Sequence, residues 1–151
     1  MAAQRSTSSR GERGSGRSAD RHERVRAAHA AETAEDYAEA IAELIAGRGV
    51  CRVVDLAERF GVSHVTVTRT VARLVRDGVA STEPYRPITL TAKGARVAAA
   101  ARERHETVVA VLVALGVDRA TAEQDAEGIE HHVSPRTLAV FRRFVEARRA
   151  R

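Results

Sequence analysis

Residues 53–76, VVDLAERFGVSHVTVTRTVARLVR, decide the fold. The first eight residues predict a short helix, because apolar side chains recur at every third or fourth position, and residues 64–76 predict a second helix for the same reason. Between them, Gly61 suits the left-handed position that ends a helix, and Ser63 suits the cap that begins the next. Two helices joined by a short glycine turn are typical of a helix-turn-helix.

The outward face of the second helix has the composition of a DNA-binding surface. It carries hydroxyl, imidazole and guanidinium groups and no acid before Asp77, whereas a helix face that is merely solvated usually mixes both charges. Hydroxyl and guanidinium groups bind phosphates and base edges in the major groove. We therefore predict DNA contacts from His64, Val65, Thr66, Thr68, Arg69 and Arg73.

Two short segments, 79–83 and 88–91, follow the second helix and predict the strands of a β-hairpin around residues 84–87, which include two prolines. A hairpin in this position is the wing of a winged helix-turn-helix. Arg86 lies at its tip, and we expect its side chain to reach a DNA phosphate.

Helices are also predicted on both sides of this segment. One runs from Ala30 to about Gly47, and others follow at 92–115, after Asp118 and after Ser134. Ala, Val and Leu dominate the apolar residues, and only 3% of the chain is aromatic, which favours closely packed helices. The predicted fold class is mostly α, with a winged helix-turn-helix domain at 30–91 followed by an all-helical domain at 92–151.

The first 29 residues predict a disordered basic tail. They are rich in Ser, Gly and Arg and have almost no large apolar side chain, so burial cannot offset their chain entropy. Seven arginines against three acids allow non-specific contact with phosphates. A tail that is simply solvated is the alternative.

Composition limits the class of protein and its compartment. The 151 residues carry a net charge of +5 and a single cysteine, Cys51, so an internal disulfide and a thiolate-rich zinc site are excluded. The longest apolar run, 108–117, is well short of the ~20 residues of a membrane span. No secretory signal follows Met1. We expect a cytoplasmic protein without a membrane partner.

Residues 125–132, DAEGIEHH, contain a candidate metal-binding pattern. Glu127, Glu130 and His131 stand at i, i+3 and i+4, so they share one face of a helix. Two carboxylates and an imidazole are plausible ligands for a divalent metal. A solvated acidic face is the alternative.

Three further residues are relevant to this pattern. Asp36 and Glu39 stand at i and i+3 on the first predicted helix, on a face away from its apolar stripe. His105 lies inside the apolar stripe of the helix at 92–115, where its ring must be hydrogen-bonded or ligated to a metal. A solvated acidic face and a hydrogen-bonded core histidine are the alternatives.

Taken together, these motifs resemble the manganese branch of the diphtheria-toxin-repressor family of metal-dependent transcriptional regulators. The matching segments are 35–39 (EDYAE), the winged helix-turn-helix, 104–106 (RHE) and 125–132. The resemblance extends from about Ala31 to the C-terminus. It implies that residues 92–151 form a dimerisation and metal-binding domain.

The resemblance also implies a metal site with two Mn²⁺ ions per subunit, in which Glu39 and Glu130 are shared between the ions. The iron branch has sulfur-bearing residues where this chain has Asp36 and Glu130. Hard oxygen ligands favour Mn²⁺, with Fe²⁺ or another divalent metal as the alternative cofactor. The implied ligands are Asp36, Glu39, His105, Glu127, Glu130 and His131.

On this resemblance we expect a homodimeric repressor that binds double-stranded operator DNA when Mn²⁺ is bound and that controls manganese uptake genes. No enzymatic activity and no small-molecule substrate are expected. One alternative is a winged-helix regulator that responds to iron or to another signal. A second is a metallohydrolase, for which the sequence offers no separate nucleophile or general base.

Overall fold

The computed structural model describes residues 12–83 and 86–149. In those residues it contains six α-helices, one 3-10 helix and two short strands. The bounds are α1 Glu12–Arg48, α2 Val53–Phe60, α3 His64–Arg76, β1 Ala80–Ser81, β2 Thr89–Leu90, α4 Ala92–Leu115, α5 Arg119–Ile129, the 3-10 helix Glu130–His132, and α6 Pro135–Arg149. The mostly helical fold class is confirmed.

The helix-turn-helix forms where the sequence predicts it. Gly61 has a φ of 63°, the left-handed conformation that ends α2. The side chain of Ser63 accepts a hydrogen bond from the backbone N–H of Thr66 at 3.2 Å and so caps α3. Because these signals depend on neighbouring residues alone, they could be recognised in the sequence.

The wing is an antiparallel pair in which Ala80 faces Leu90 and Ser81 faces Thr89. Its strands have two residues each, shorter than the predicted 79–83 and 88–91. Two backbone N–H groups of the predicted strands are bonded outside the wing. The Val79 N–H donates to the Leu74 carbonyl at 2.8 Å, and the Ile88 N–H donates to the Cys51 carbonyl at 2.8 Å.

The first core attaches α1 to the helix-turn-helix. The predicted stripe of Tyr37, Ile41 and Leu44 is buried there, together with Leu56 and other apolar side chains of α2 and α3. The ring of Tyr37 also stacks on the ring of Phe60 at 4.5 Å between centroids. Burial of each large apolar side chain contributes about 1.5–3 kcal/mol, so this stripe holds the second half of α1 against α2.

The second core joins α4, α5 and α6. Val108 and Val109 of α4 pack against Ala122 and Ala126 of α5, and Phe141 of α6 lies beside them. Two alanines allow α5 to approach α4 closely. In the described part of the chain, no helix combines the length and the apolar content that crossing a membrane requires.

The structure differs from the sequence expectation at the N-terminus. Helix α1 begins at Glu12, well before the predicted start of the helix near Ala30; residues 1–11 of the predicted tail lie outside the described residues. Ala, Arg and Glu are strong helix formers, so a helix can form there without an apolar stripe. The chain divides into two compact units between Thr33 and Ala34.

The end of α5 is a second difference. We expected one helix through residues 125–132, but α5 ends at Ile129 and the chain continues as a 3-10 helix, Glu130–His132. Ser134 then caps α6 by accepting a hydrogen bond from the N–H of Thr137 at 3.1 Å. The 3-10 helix is more tightly wound than an α-helix.

Candidate metal centre and nucleic-acid interface

All six predicted metal ligands line one cavity of about 380 Å³. Helix α1 contributes Asp36 and Glu39, and α4 contributes His105. The remaining three come from the end of α5 and from the 3-10 helix. The cavity therefore lies where α1 meets the helical domain, and it includes every residue of the predicted set: Asp36, Glu39, His105, Glu127, Glu130 and His131.

Glu130 is at the centre of the contacts in this cavity. Its side chain is buried, with 3% of the residue exposed. One carboxylate oxygen lies 2.8 Å from Nδ1 of His105, and the other lies 3.5 Å from Nε2 of His131. The same ring nitrogens face two more acids, since Nδ1 of His105 is 3.9 Å from Glu127 and Nε2 of His131 is 3.2 Å from Asp36.

The cavity holds more negative charge than its surroundings compensate. Burial raises the pKa of Glu130, with a smaller contribution from Glu127, although both histidines oppose the rise. Burial also raises the pKa of Glu39, and repulsion from Glu130 and Glu43 adds to it. Buried carboxylates that resist ionisation are stabilised by a cation placed between them.

The donor set fits a hard divalent cation, although the side chains are not yet arranged around one. Among residues 12–83 and 86–149, no three His, Cys, Asp or Glu side chains are positioned to hold a metal ion. The acids contact the imidazoles instead, at hydrogen-bond and ion-pair distances. Four carboxylates and two imidazoles suit Mn²⁺ or a similar metal, which must displace these contacts.

Glu123 was not among the predicted ligands, and it contacts His105 from the other edge of the ring. A carboxylate oxygen of Glu123 lies 3.0 Å from Nε2 of His105, and the second oxygen lies 2.8 Å from Arg119. The hydrogen bond to His105 lowers the pKa of Glu123 most, and Arg119 adds to the effect. Although burial lowers the pKa of His105, its bonds to Glu123 and Glu130 outweigh burial and raise it.

Glu35 was also missed, and it contacts the second histidine. Its carboxylate lies 3.3 Å from Nδ1 of His131 and forms an ion pair with Arg104. Sequence spacing offered a clue to both acids. Glu35 stands four residues before Glu39, as Glu123 does before Glu127, so each shares a helix face with a predicted ligand.

The cavity also reaches the helix-turn-helix. Arg59 and Phe60 of α2 line it beside the acids. Arg59 forms an ion pair with Glu43 of α1, and Phe60 stacks on Tyr37, which lies between Asp36 and Glu39 in the chain. Helix α1 therefore contacts the first helix of the DNA-binding motif directly beside this cavity.

The predicted DNA-binding residues lie on the outer face of α3 and in the wing. Arg73 is half-buried and the other six are exposed, with Val65 60% exposed. The Thr68 hydroxyl donates to the backbone carbonyl of His64 at 2.8 Å, and the Thr66 hydroxyl lies 2.9 Å from that of Ser63. Arg69 and Arg86 are exposed cations on this surface.

Two family models match consecutive parts of the chain. The first, described as the N-terminal DNA binding domain of iron dependent repressors, matches residues 29–88. The second, described as the metal binding and dimerisation domain of iron dependent repressors, matches residues 91–149. The boundary between the two models falls at β2, the second strand of the wing.

Characterised proteins and a solved structure resemble the same region. The chain is 46% identical over 122 residues to the transcriptional regulator MntR of Escherichia coli O6:H1 strain CFT073, covering 81% of this chain and 79% of that protein. It is 41% identical over 100 residues to the HTH-type transcriptional regulator MntR of Bacillus subtilis strain 168, covering 66% and 70%.

A solved structure described as a manganese-dependent transcriptional repressor in complex with manganese has a TM-score of 0.68 and 30% identity to this chain. The match covers 75% of this chain and 52% of the solved one. The chain therefore spans about half the length of that protein.

Proposed function

We propose that this protein is a manganese-responsive repressor. The chain belongs to the iron-dependent repressor family of metal-dependent transcriptional regulators, and the proposal starts from that membership. The observation that carries the proposal is the cavity that five acids and two histidines line and that reaches the first helix of the DNA-binding motif. Members of this family regulate transcription and are not enzymes, so the hydrolase alternative is set aside.

The proposed metal is Mn²⁺, with two ions per subunit. Six of the side chains that line the cavity would hold the ions: Asp36, Glu39, His105, Glu127, Glu130 and His131. None of these side chains contains sulfur, and Cys51 is buried in the first core. Oxygen-rich sites favour hard cations such as Mn²⁺. The manganese-dependent repressor that resembles this chain supports the same choice.

The proposed mechanism begins with repulsion in the metal-free cavity. Glu39 belongs to α1, whereas Glu130 belongs to the helical domain, and their charges oppose close approach of the two. Bound cations would supply the positive charge that this cavity lacks. Asp36 and Glu39 of α1 would then be held beside His105, Glu127 and Glu130, which would fix the position of α1.

The position of α1 sets the position of the recognition helix. Tyr37 and Glu43 of α1 contact Phe60 and Arg59 of α2, and α2 packs directly on α3. In a homodimer the two α3 helices must enter consecutive major grooves, about 34 Å apart. A metal that favours this spacing by about 1–3 kcal/mol gives a useful switch.

The proposed DNA contacts divide by chemistry. Arg69, Arg73 and Arg86 bind phosphates or guanine edges, and the exposed methyl groups of Val65 suit contact with a thymine methyl. His64, Thr66 and Thr68 complete the surface. We infer that the homodimer works in the cytoplasm, where operator DNA is accessible, and that it represses manganese uptake genes.

A calorimetric titration of the metal-free homodimer with Mn²⁺ tests the metal site. We expect two ions per subunit for the wild type and loss of high-affinity binding in the double variant Glu127→Ala with Glu130→Ala. Glu146→Ala, which removes an exposed acid of α6, is the matched control and should bind as the wild type does. Unchanged binding in the double variant would mean that the acidic face is only solvated.

A further inference from the structure

The ring of His105 is held between two groups of acids, one at each nitrogen. Nδ1 faces Glu130 at 2.8 Å and Glu127 at 3.9 Å, whereas Nε2 faces Glu123 at 3.0 Å. A neutral imidazole carries its proton on one nitrogen and offers the lone pair of the other. The nitrogen that holds the proton therefore decides which side of the ring can bind a metal.

Glu123 is fixed in place from its own helix. It lies on α5 one turn before Glu127, and its second oxygen forms an ion pair at 2.8 Å with Arg119, one turn earlier still. The Glu123 carboxylate thus contacts a guanidinium group with one oxygen and an imidazole with the other. An anionic acceptor with both oxygens engaged has a defined orientation.

We propose that Glu123 is a positioning residue for the metal centre: it holds the proton of His105 on Nε2, so that Nδ1 is the nitrogen that binds the metal. This inference rests on the proposed function. A carboxylate that accepts the second N–H of a metal-binding histidine fixes the orientation of the ring and makes it a stronger ligand.

Glu123 lies outside the cavity that all six proposed ligands line. It lines instead a neighbouring groove with Arg119, which only His105 and Glu39 among those ligands also line. Its carboxylate meets the edge of His105 opposite to Nδ1. Glu123 therefore acts through His105, and the acids near Nδ1, on the other side of the ring, would bind the metal.

The first test compares Mn²⁺ affinity, measured by calorimetry, in three versions of the full-length homodimer. Glu123→Ala removes the acceptor, and we expect it to weaken binding by about 10–100-fold. Glu123→Gln retains an oxygen that can accept from Nε2 but lacks the charge, so it should recover part of the loss. Gln124→Ala, an exposed neighbour on the same helix, should bind as the wild type does.

A second readout distinguishes positioning from a general structural effect. Cd²⁺ serves as a diamagnetic substitute, and ¹H–¹⁵N spectra of His105, assigned with His105→Asn, report which nitrogen carries the proton and which couples to ¹¹³Cd. We expect a protonated Nε2 and a cadmium-coupled Nδ1 in the wild type. Glu123→Ala should show both arrangements, and Glu123→Gln should restore the first.

The outcomes separate this inference from the proposed function. A wild type that binds no Mn²⁺ would overturn the proposed function and this inference with it. A wild type that binds Mn²⁺ while Glu123→Ala binds equally well, or a wild type in which Nε2 couples to cadmium, would overturn the inference alone. Glu123→Gln keeps the comparison valid even where Glu123→Ala melts at a lower temperature.

Discussion

Replacement of Glu130 by Gln should have little effect on the free energy of unfolding of the metal-free protein. It should strongly reduce the stabilisation of the protein by Mn²⁺. In the metal-free protein the Glu130 carboxylate is buried, and burial raises its pKa, so its charge costs stability at neutral pH. An amide of the same shape removes that charge and keeps an oxygen 2.8 Å from His105. We therefore expect the metal-free variant to unfold within about 1 kcal/mol of the wild type.

The rise in Tm on addition of Mn²⁺ should be much larger in the wild type than in Glu130→Gln. At a free concentration 100 times the Kd, one site stabilises the folded state by about 2.7 kcal/mol. For a chain of this size each kcal/mol raises Tm by about 2–4 °C, which gives a shift of roughly 5–11 °C. If Glu130→Gln weakens binding about 100-fold, the same concentration equals its Kd and the shift falls to roughly 1–2 °C.

Thermal unfolding followed by circular dichroism, with Mn²⁺ or with EDTA, measures both effects. The dimer concentration must be the same in every sample, because Tm of a dimer depends on it. Glu146→Gln is the control, and it should show the full metal shift of the wild type. A full shift in Glu130→Gln would refute the assignment of Glu130 as a ligand.

Three further predictions concern the wing, the DNA surface and pH. Gly94→Ala places a Cβ against the Val79 carbonyl and should lower the free energy of unfolding by about 1–3 kcal/mol in chemical denaturation. Arg69→Ala should weaken operator binding by about 1–3 kcal/mol in fluorescence anisotropy, with Mn²⁺ affinity unchanged. Acidification should weaken Mn²⁺ binding in calorimetry as pH falls through the raised pKa of Glu39, above the usual 4.5, because the metal must displace that proton.

Each of these predictions has a control or a contrary outcome. Gly47→Ala, where a Cβ meets nothing within 4 Å, should not destabilise the protein. Arg143→Ala removes an exposed cation of α6 and should leave DNA binding unchanged. The folding stability of the metal-free protein should change with pH in the direction opposite to Mn²⁺ affinity. The raised pKa of Glu39 contributes stability that is fully present below pH 4.5 and is lost as pH rises through that raised pKa. Metal affinity that is constant with pH would count against a role for Glu39.

Local signals made the DNA-binding motif predictable. Gly61 and Ser63 act on the backbone of their immediate neighbours, and the stripe of Tyr37, Ile41 and Leu44 follows the helical period. The start of α1 at Glu12 was not predicted, because residues 12–29 have no periodic apolar face. Apolar periodicity cannot detect a helix of that kind.

The acids that contact each histidine could not be predicted from the sequence, because these contacts depend on tertiary structure. The spacing of Glu123 and Glu127 shows that they share a face, but only the packing of α5 on α4 brings Glu123 to His105. In the same way, the contact between Glu35 and His131 requires α1 to meet the 3-10 helix. Sequence spacing could identify candidate acids, and the fold decides which nitrogen of each imidazole they contact.

The most direct test of the account is the effect of Mn²⁺ on DNA binding. Duplexes selected in vitro from random sequence by the Mn²⁺-loaded homodimer would be labelled, and their affinity measured by fluorescence anisotropy with Mn²⁺ and after metal removal, at one physiological salt concentration. The account predicts that Mn²⁺ strengthens binding by about 5–150-fold, which corresponds to about 1–3 kcal/mol of coupling. Equal affinity with and without Mn²⁺ would contradict it.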